Sequence, residues 1–153
     1  DIPNPSSDLD SYQKKCGERS AMCFECIPEY CSKECSNCGI SKNVWKNVQV
    51  GRSDIDRKGL FASEPIKKDE YIIEYLGLET PDKPENCPDN KYVMQMKHHY
   101  IDARYKGSLA RYINQYPETN AKFVKKIVNG SERCGVFATQ DIPKGKEITC
   151  YYG

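Results

Sequence analysis

Apolar and polar positions along this chain alternate over short stretches, and no helical apolar period runs beyond two or three turns. Trp45–Val50 alternates and then gives way to a turn, Gly51-Arg-Ser-Asp-Ile-Asp56, followed by Lys58–Ala62. Tyr71–Leu76 is the clearest strand, ended by Gly77. Residues 79–90 hold Pro81, Pro84 and Pro88 and read as a loop. Tyr92–Met96 and His99–Asp102 are short strand candidates, which puts His98 and His99 side by side on a strand edge facing opposite ways. Adjacent residues of that kind make a poor metal pair and read as surface polarity. Lys122–Val128 and Cys134–Ala138 flank Asn129-Gly130, a strong hairpin signal because both residues tolerate positive φ. A weak internal echo links Phe61–Ile72 with Phe137–Ile148, each reading strand, polar turn, strand. The expectation is a mainly β body whose two ends are built alike.

Two stretches do not follow this alternation. Residues 1–15 carry Pro3, Pro5 and three serines without a core pattern, and are expected to be a flexible lead or extended arm. Leu109–Ile113 is a short helix-capable run that feeds into a polar loop, Asn114–Asn120, containing Pro117. Asn114, Gln115 and Asn120 each present an amide that both donates and accepts hydrogen bonds, suited to reading a heteroaromatic ring or to holding a neighbouring segment.

Cysteine usage changes the picture. Of nine cysteines, six crowd into Cys16, Cys23, Cys26, Cys31, Cys35 and Cys38, while Cys87, Cys134 and Cys150 are scattered. An odd total with one dense cluster argues against a secreted disulfide framework and for metal binding in a reducing compartment. The spacing C-x6-C-x2-C-x4-C-x3-C-x2-C holds two C-x2-C pairs, and zinc takes four thiolates in a tetrahedron, with such a pair supplying two from one turn. Six sulfurs exceed one site and complete two only by bridging or by borrowing a ligand. No pattern of histidine or of carboxylate with a water position suggests an open catalytic site, so the metal, one or two Zn2+, is expected to be structural; buried thiols or disulfides are the plainer alternative.

The chain of 153 residues with net charge +1 fits one domain with a small appendage, and no run of about 18 apolar residues offers a membrane helix. The absence of an initiator Met suggests a piece of something longer. Charge is unevenly spread: residues 69–89 hold seven acids against Lys83, and residues 104–126 hold six bases against Glu118. The acidic stretch suits a basic peptide ligand; two balancing solvated faces explain it equally well.

Four motifs now fall into order: Arg57-Lys-Gly59-Leu-Phe61, Glu74-Tyr75-Leu-Gly77, Tyr100-Ile-Asp102-Ala103 followed by Lys106–Asn114, and Lys144–Tyr152. They resemble the G-x-G-L-F, E-Y-x-G, R-F-I-N-H and G-E-E-L-T-Y-D-Y motifs of SET domains, the catalytic fold of protein lysine methyltransferases, with the trithorax/MLL and Ash/NSD branches most alike. The cysteine cluster resembles the zinc-binding AWS segment that precedes many of them, with one cysteine fewer. The resemblance implies a SET fold of small sheets with a knot-like C-terminal crossing, divided as flexible lead 1–15, AWS-like segment 16–43 and SET domain 44–153. It implies methyl transfer from S-adenosylmethionine to a lysine amine, on a histone tail or nucleosome in the nucleus, with nucleosomal DNA as a further contact and no membrane.

Carried over position by position, Tyr152 matches the tyrosine beside the methyl group and Tyr75 a catalytic wall of the lysine channel. Arg57, Lys58, Gly59, Leu60, Tyr92, Arg111, Asn114 and Gln115 match the cofactor site. Tyr75, Cys150 and Tyr152 match the substrate channel, and the six clustered cysteines match the metal site. The departures are specific. The family's N-H-S-C-x-P-N is Asn114-Gln115-Tyr116-Pro117-Glu118-Thr119-Asn120, without the cysteine that ties a post-SET zinc lid. Arg57 replaces the first glycine of G-x-G. Cys150 replaces the bulkier residue that limits methylation state, leaving more room. These substitutions keep a second reading open, a degenerate SET domain that binds chromatin or a partner without efficient catalysis. A Zn2Cys6 DNA-binding module would require a basic helix among the cysteines, and Glu25–Tyr30 is neither basic nor helical in pattern.

Overall fold

The structure is a computed structural model that describes residues 9–85 and 91–151. Cys87 and Tyr152 lie outside the described residues. In chain order these form helices α1 (Leu9–Lys14), α2 (Cys16–Ala21) and α3 (Gly39–Lys42), then strands β1 (Val48–Arg52), β2 (Lys58–Ala62), β3 (Tyr71–Glu74), β4 (Gly77–Thr80), β5 (Val93–Gln95) and β6 (Tyr100–Gly107). A 3-10 turn (Leu109–Tyr112) leads to β7 (Asn114–Gln115), β8 (Ala121–Val128), β9 (Ser131–Ala138) and β10 (Glu147–Cys150). Three small sheets result, ordered β1-β2-β10-β7, β3-β9-β8 and β4-β6-β5. The body is mainly β, as the alternation implies.

The β8–β9 hairpin turns at Asn129-Gly130, with φ of 48° and 85°, as expected of that dipeptide. β3 is buried at every residue. One side of its sheet packs on α3 through Ile40, Tyr71, Val128 and Phe137, while Ile72, Ile73, Val136 and Ala138 contribute to the main core. At the β4–β6 crossing Gly77 faces Gly107. A Cβ on Gly77 would stand 2.6 Å from the Asp102 carbonyl oxygen, and one on Gly107 2.5 Å from that of Leu76, so the strands cross where only glycine fits.

The internal echo is a structural two-fold. Ile66 and Ile142 pair antiparallel with reciprocal hydrogen bonds of 2.9 and 2.7 Å. Ala62 N–H donates to Lys146 O and Ala138 N–H to Glu70 O, each at 3.0 Å; Gly145 N–H donates to Ala62 O and Asp69 N–H to Ala138 O. The matching turn positions Asp69 and Gly145 both have positive φ, 72° and 89°. Each strand-turn-strand unit therefore satisfies the backbone of the other, and both isoleucines are almost fully buried.

Three local expectations are corrected. Leu9–Lys14, inside the stretch expected to be a flexible lead or extended arm, is helical, because Tyr12 packs into the cysteine cluster. β6 starts at Tyr100 and runs to Gly107, longer than the expected His99–Asp102, because both β4 and β5 pair with it. His98 and His99 sit in the β5–β6 turn rather than on a strand edge; His98 is exposed and His99 Nε2 lies 3.7 Å from Glu79 Oε1.

Candidate cofactor cleft and cysteine centre

A cleft of about 860 Å3 opens where the β1–β2 turn, β5 and the 3-10 turn meet β7. Lys58, Tyr92, Arg111, Asn114 and Gln115, expected there by resemblance, line it, together with Ile55, Asp56, Met94 and Tyr112. Arg57, Gly59 and Leu60 do not line it: Arg57 is exposed, Gly59 is buried and Leu60 belongs to the core. The cleft is basic, with Lys58, Lys83, Lys91, Arg111 and Lys125 against Asp56. At its edge Lys91 Nζ meets Asp56 Oδ2 at 2.9 Å, which holds the Asp56 carboxyl below its ordinary range. Tyr92 and Tyr112 meet edge to face at 6.5 Å, and the Arg111 guanidinium lies 5.0 Å from the Tyr112 ring centre. Such a lining offers aromatic faces to a flat ring and cations to a carboxylate.

Tyr75 and Cys150 are buried in the main core and do not line the cleft. The Tyr75 ring meets Phe123 edge to face at 5.8 Å, and its N–H donates to Cys134 O at 2.9 Å. Burial pushes the Tyr75 hydroxyl and the Cys150 thiol well above their ordinary values, and Cys134 up to about 12, so all three stay neutral at physiological pH.

β7 runs parallel to β10, with Asn114 opposite Thr149 and Gln115 opposite Cys150. β10 thus lies between β2 and the 114–120 loop, the knot-like crossing. A two-residue strand gives few backbone bonds, and side chains supply the rest. Asn120 Nδ2 donates to Glu147 O at 2.8 Å and its Oδ1 accepts from Thr149 N at 2.9 Å. Asn114 Nδ2 donates to Lys58 O and Glu147 Oε2, each at 2.9 Å, and reaches Ser53 Oγ at 3.1 Å. The two asparagines singled out for their amides use them to hold neighbouring segments. Ser53 and Glu147 are the partners that sequence reasoning missed; the Glu147 signal was a carboxylate one residue from a buried isoleucine.

In the cysteine segment the sulfurs of Cys16, Cys26, Cys31 and Cys35 all lie within 4.8 Å of one another. Four thiols at that separation suit a tetrahedral thiolate centre. Cys38 is buried beside them but outside the group, and Cys23 is exposed. Of the six cysteines expected as ligands, Cys16, Cys26, Cys31 and Cys35 are brought together. Phe24 bridges Ile127 on β8, with Ile127 N–H donating to Cys23 O and Glu25 N–H to Ile127 O. Cys23 itself sits at positive φ (62°), and its side chain is exposed while that of Cys26 is buried. Burial disfavours the Cys26 thiolate, but hydrogen bonds from Arg19 Nε at 3.3 Å and Asn37 Nδ2 at 3.5 Å bring its thiol down to about 7. Arg19 itself lies 3.5 Å from the Tyr12 ring centre and donates to Tyr12 O at 2.6 Å, the contact that orders α1.

Small sheets, a glycine-crossed strand pair and a C-terminal strand threaded beside a polar loop define a SET-type fold. The SET domain family profile matches residues 57–153, and the chain belongs to that family. Similarity to known proteins extends upstream of that span. The chain is 35% identical to the H3 lysine-36 specific histone-lysine N-methyltransferase of Debaryomyces hansenii over 90% of its length, covering 21% of that protein. It is 32% identical to mouse histone-lysine N-methyltransferase NSD3 over 92% of its length, covering 10%, and 30% identical to Arabidopsis thaliana histone-lysine N-methyltransferase ASHH3 over 98%, covering 44%. The chain thus spans less than half of each of these relatives. Among solved structures, a chain from an active polycomb repressive complex 2 in the basal state superposes with a TM-score of 0.79 at 25% identity, covering 89% of this chain and 22% of that one.

Proposed function

We propose that this chain carries the catalytic domain of a histone-lysine methyltransferase that uses S-adenosylmethionine. The observation that supports it most is the placement, in a SET-family chain, of a cleft lined by Tyr92, Arg111 and Asn114 beside a crossing that carries Cys150 and leads to Tyr152. The cofactor supplies an electrophilic methyl group on a sulfonium. Arg111 and Lys58 are suited to its carboxylate, and the Tyr92–Tyr112 pair to its flat base. Gln115 lines the cleft through a residue whose backbone pairs with β10, so histidine's ring is not needed to build that wall.

On the substrate side the amine must be neutral to attack, although free lysine titrates near about 10.4. Tyr75 is the residue that helps here. A buried phenol that stays protonated presents no anion to stabilise an ammonium, and an apolar wall disfavours the charged amine. Tyr152 would set its hydroxyl beside the transferred methyl, and Cys150, smaller than the family's usual residue, would leave room for a partly methylated amine. Cys16, Cys26, Cys31 and Cys35 would hold one structural Zn2+. The setting is chromatin, with a histone tail as the substrate.

The test is labelled S-adenosylmethionine with nucleosomes, free histones and an H3 peptide containing lysine 36, the site in the names of relatives. Wild type is expected to label histone and Tyr152→Phe to lose at least tenfold in rate. Cofactor binding by calorimetry with no labelling of any substrate would sink the enzyme reading in favour of a binding module.

A further inference from the structure

Glu147 stands one residue before the buried Ile148 on β10 and makes a set of contacts that a surface carboxylate would not need. Ser53 Oγ lies 2.8 and 2.9 Å from its two oxygens, and Asn114 Nδ2 donates to Oε2 at 2.9 Å. Gly59 makes room for it: a Cβ there would collide with Oε2 and stand 2.8 Å from the Glu147 carboxyl carbon. Ser53 Oγ in turn accepts from the backbone N–H of Ile55 at 2.9 Å and of Asp56 at 3.3 Å, closing the β1–β2 turn. Asn114 Nδ2 also donates to Lys58 O at 2.9 Å.

Each of these partners belongs to a different wall of the cleft. Ile55 and Asp56 form one edge, Lys58 the second and Asn114 the floor. β10 pairs with β2 at Glu147 and Ile148 and with β7 at Thr149 and Cys150, so a single carboxylate sits where all three segments converge. Ser53 has one hydroxyl proton and the Asn114 amide only donors at this point, so both need an acceptor. A carboxylate satisfies both with either oxygen; an amide does so only with its oxygen in the Oε2 place, which sets its NH2 against Ser53 Oγ, an oxygen already accepting from Ile55 and Asp56 N–H.

We propose that Glu147 is a positioning residue for cofactor binding, acting through Ser53 and Asn114 rather than by touching the cofactor. This rests on the methyltransferase reading. The consequence is that the Glu147 side chain helps to form the cleft before ligand arrives.

The test is Glu147→Gln beside Ser53→Ala. In calorimetry with S-adenosylmethionine and with S-adenosylhomocysteine, Glu147→Gln is expected to bind at least tenfold more weakly. KM for the cofactor should rise with KM for histone peptide unchanged, and Ser53→Ala should show a smaller loss of the same kind. Amide hydrogen exchange supplies a readout independent of the ligand: residues 53–59 and 114–115 should exchange at least tenfold faster in Glu147→Gln, while the β8–β9 hairpin keeps its protection. Unchanged exchange at those residues overturns the proposal, as does wild-type cofactor affinity in Glu147→Gln. If the wild-type chain binds neither compound, the methyltransferase reading fails, and the exchange comparison alone decides the role of Glu147.

Discussion

Arg133→Met removes one half of an ion pair whose carboxylate is nearly buried. The Glu74 carboxylate is 5% exposed, and Arg133 grips both oxygens, Nε to Oε2 at 2.8 Å and Nη2 to Oε1 at 2.7 Å. The guanidinium is 29% exposed and also reaches Ile40 O at 3.3 Å. Methionine keeps much of the aliphatic stem but leaves a charge without its partner, and breaking a buried pair from one side costs about 3–5 kcal/mol. For a chain of this size each kcal/mol moves Tm by about 2–4 °C, so a fall of roughly 10 °C is expected. Adding Glu74→Gln should recover part of the loss at neutral pH. Because Glu74 precedes Tyr75 and its carbonyl accepts from Ser108 Oγ at 2.6 Å, the proposed methyltransferase activity should show histone-peptide KM worsening more than cofactor KM. Urea melts at pH 7.5 with steady-state kinetics measure all of this. A loss under about 1 kcal/mol at pH 7.5, the scale of an exposed pair, would refute the reasoning.

Gly107→Ala should destabilise by about 1–3 kcal/mol or block folding, since its Cβ meets the Leu76 carbonyl and the Ala103 side chain, whereas Gly130→Ala meets no atom and suffers only from its positive φ; paired thermal melts decide it. Cys26→Ser should abolish the tetrathiolate absorption of the cobalt-loaded protein while Cys23→Ser leaves spectrum and stoichiometry intact, and equal losses would overturn the four-sulfur grouping. Removing the metal with a chelator should expose the segment's thiols to a thiol reagent while Cys134 and Cys150 stay protected. The Arg104 side chain holds the Asp102 carboxyl below its usual value, so the pair's stabilisation is full above about pH 4 and fades as pH falls through the lower folded value. Arg104→Met should therefore be less stable than wild type at pH 7, with the difference shrinking in strong acid, as followed by urea melts.

Several elements were legible along the chain because they depend on local physics. Alternation announced the β body, Asn129-Gly130 announced its hairpin through the φ values those residues tolerate, and the repeated strand-turn-strand pattern announced a two-fold that the Ile66–Ile142 pair completes. The motif order was enough to expect the SET family. Other features were settled in three dimensions. Which four cysteines converge depends on where residues 23–25 pair with β8, a contact across about a hundred residues that no spacing rule contains. Tyr12 looked like part of a loose lead until the Arg19 guanidinium supplied a surface for it. The polar loop at Asn114–Asn120 was visible from its composition, but its amides could equally have faced a ligand or the chain. Their use as ties follows from the crossing itself: a final strand that pairs with only two residues of its neighbour must be held by side chains, and those side chains meet their acceptors only once β10 has been threaded into place.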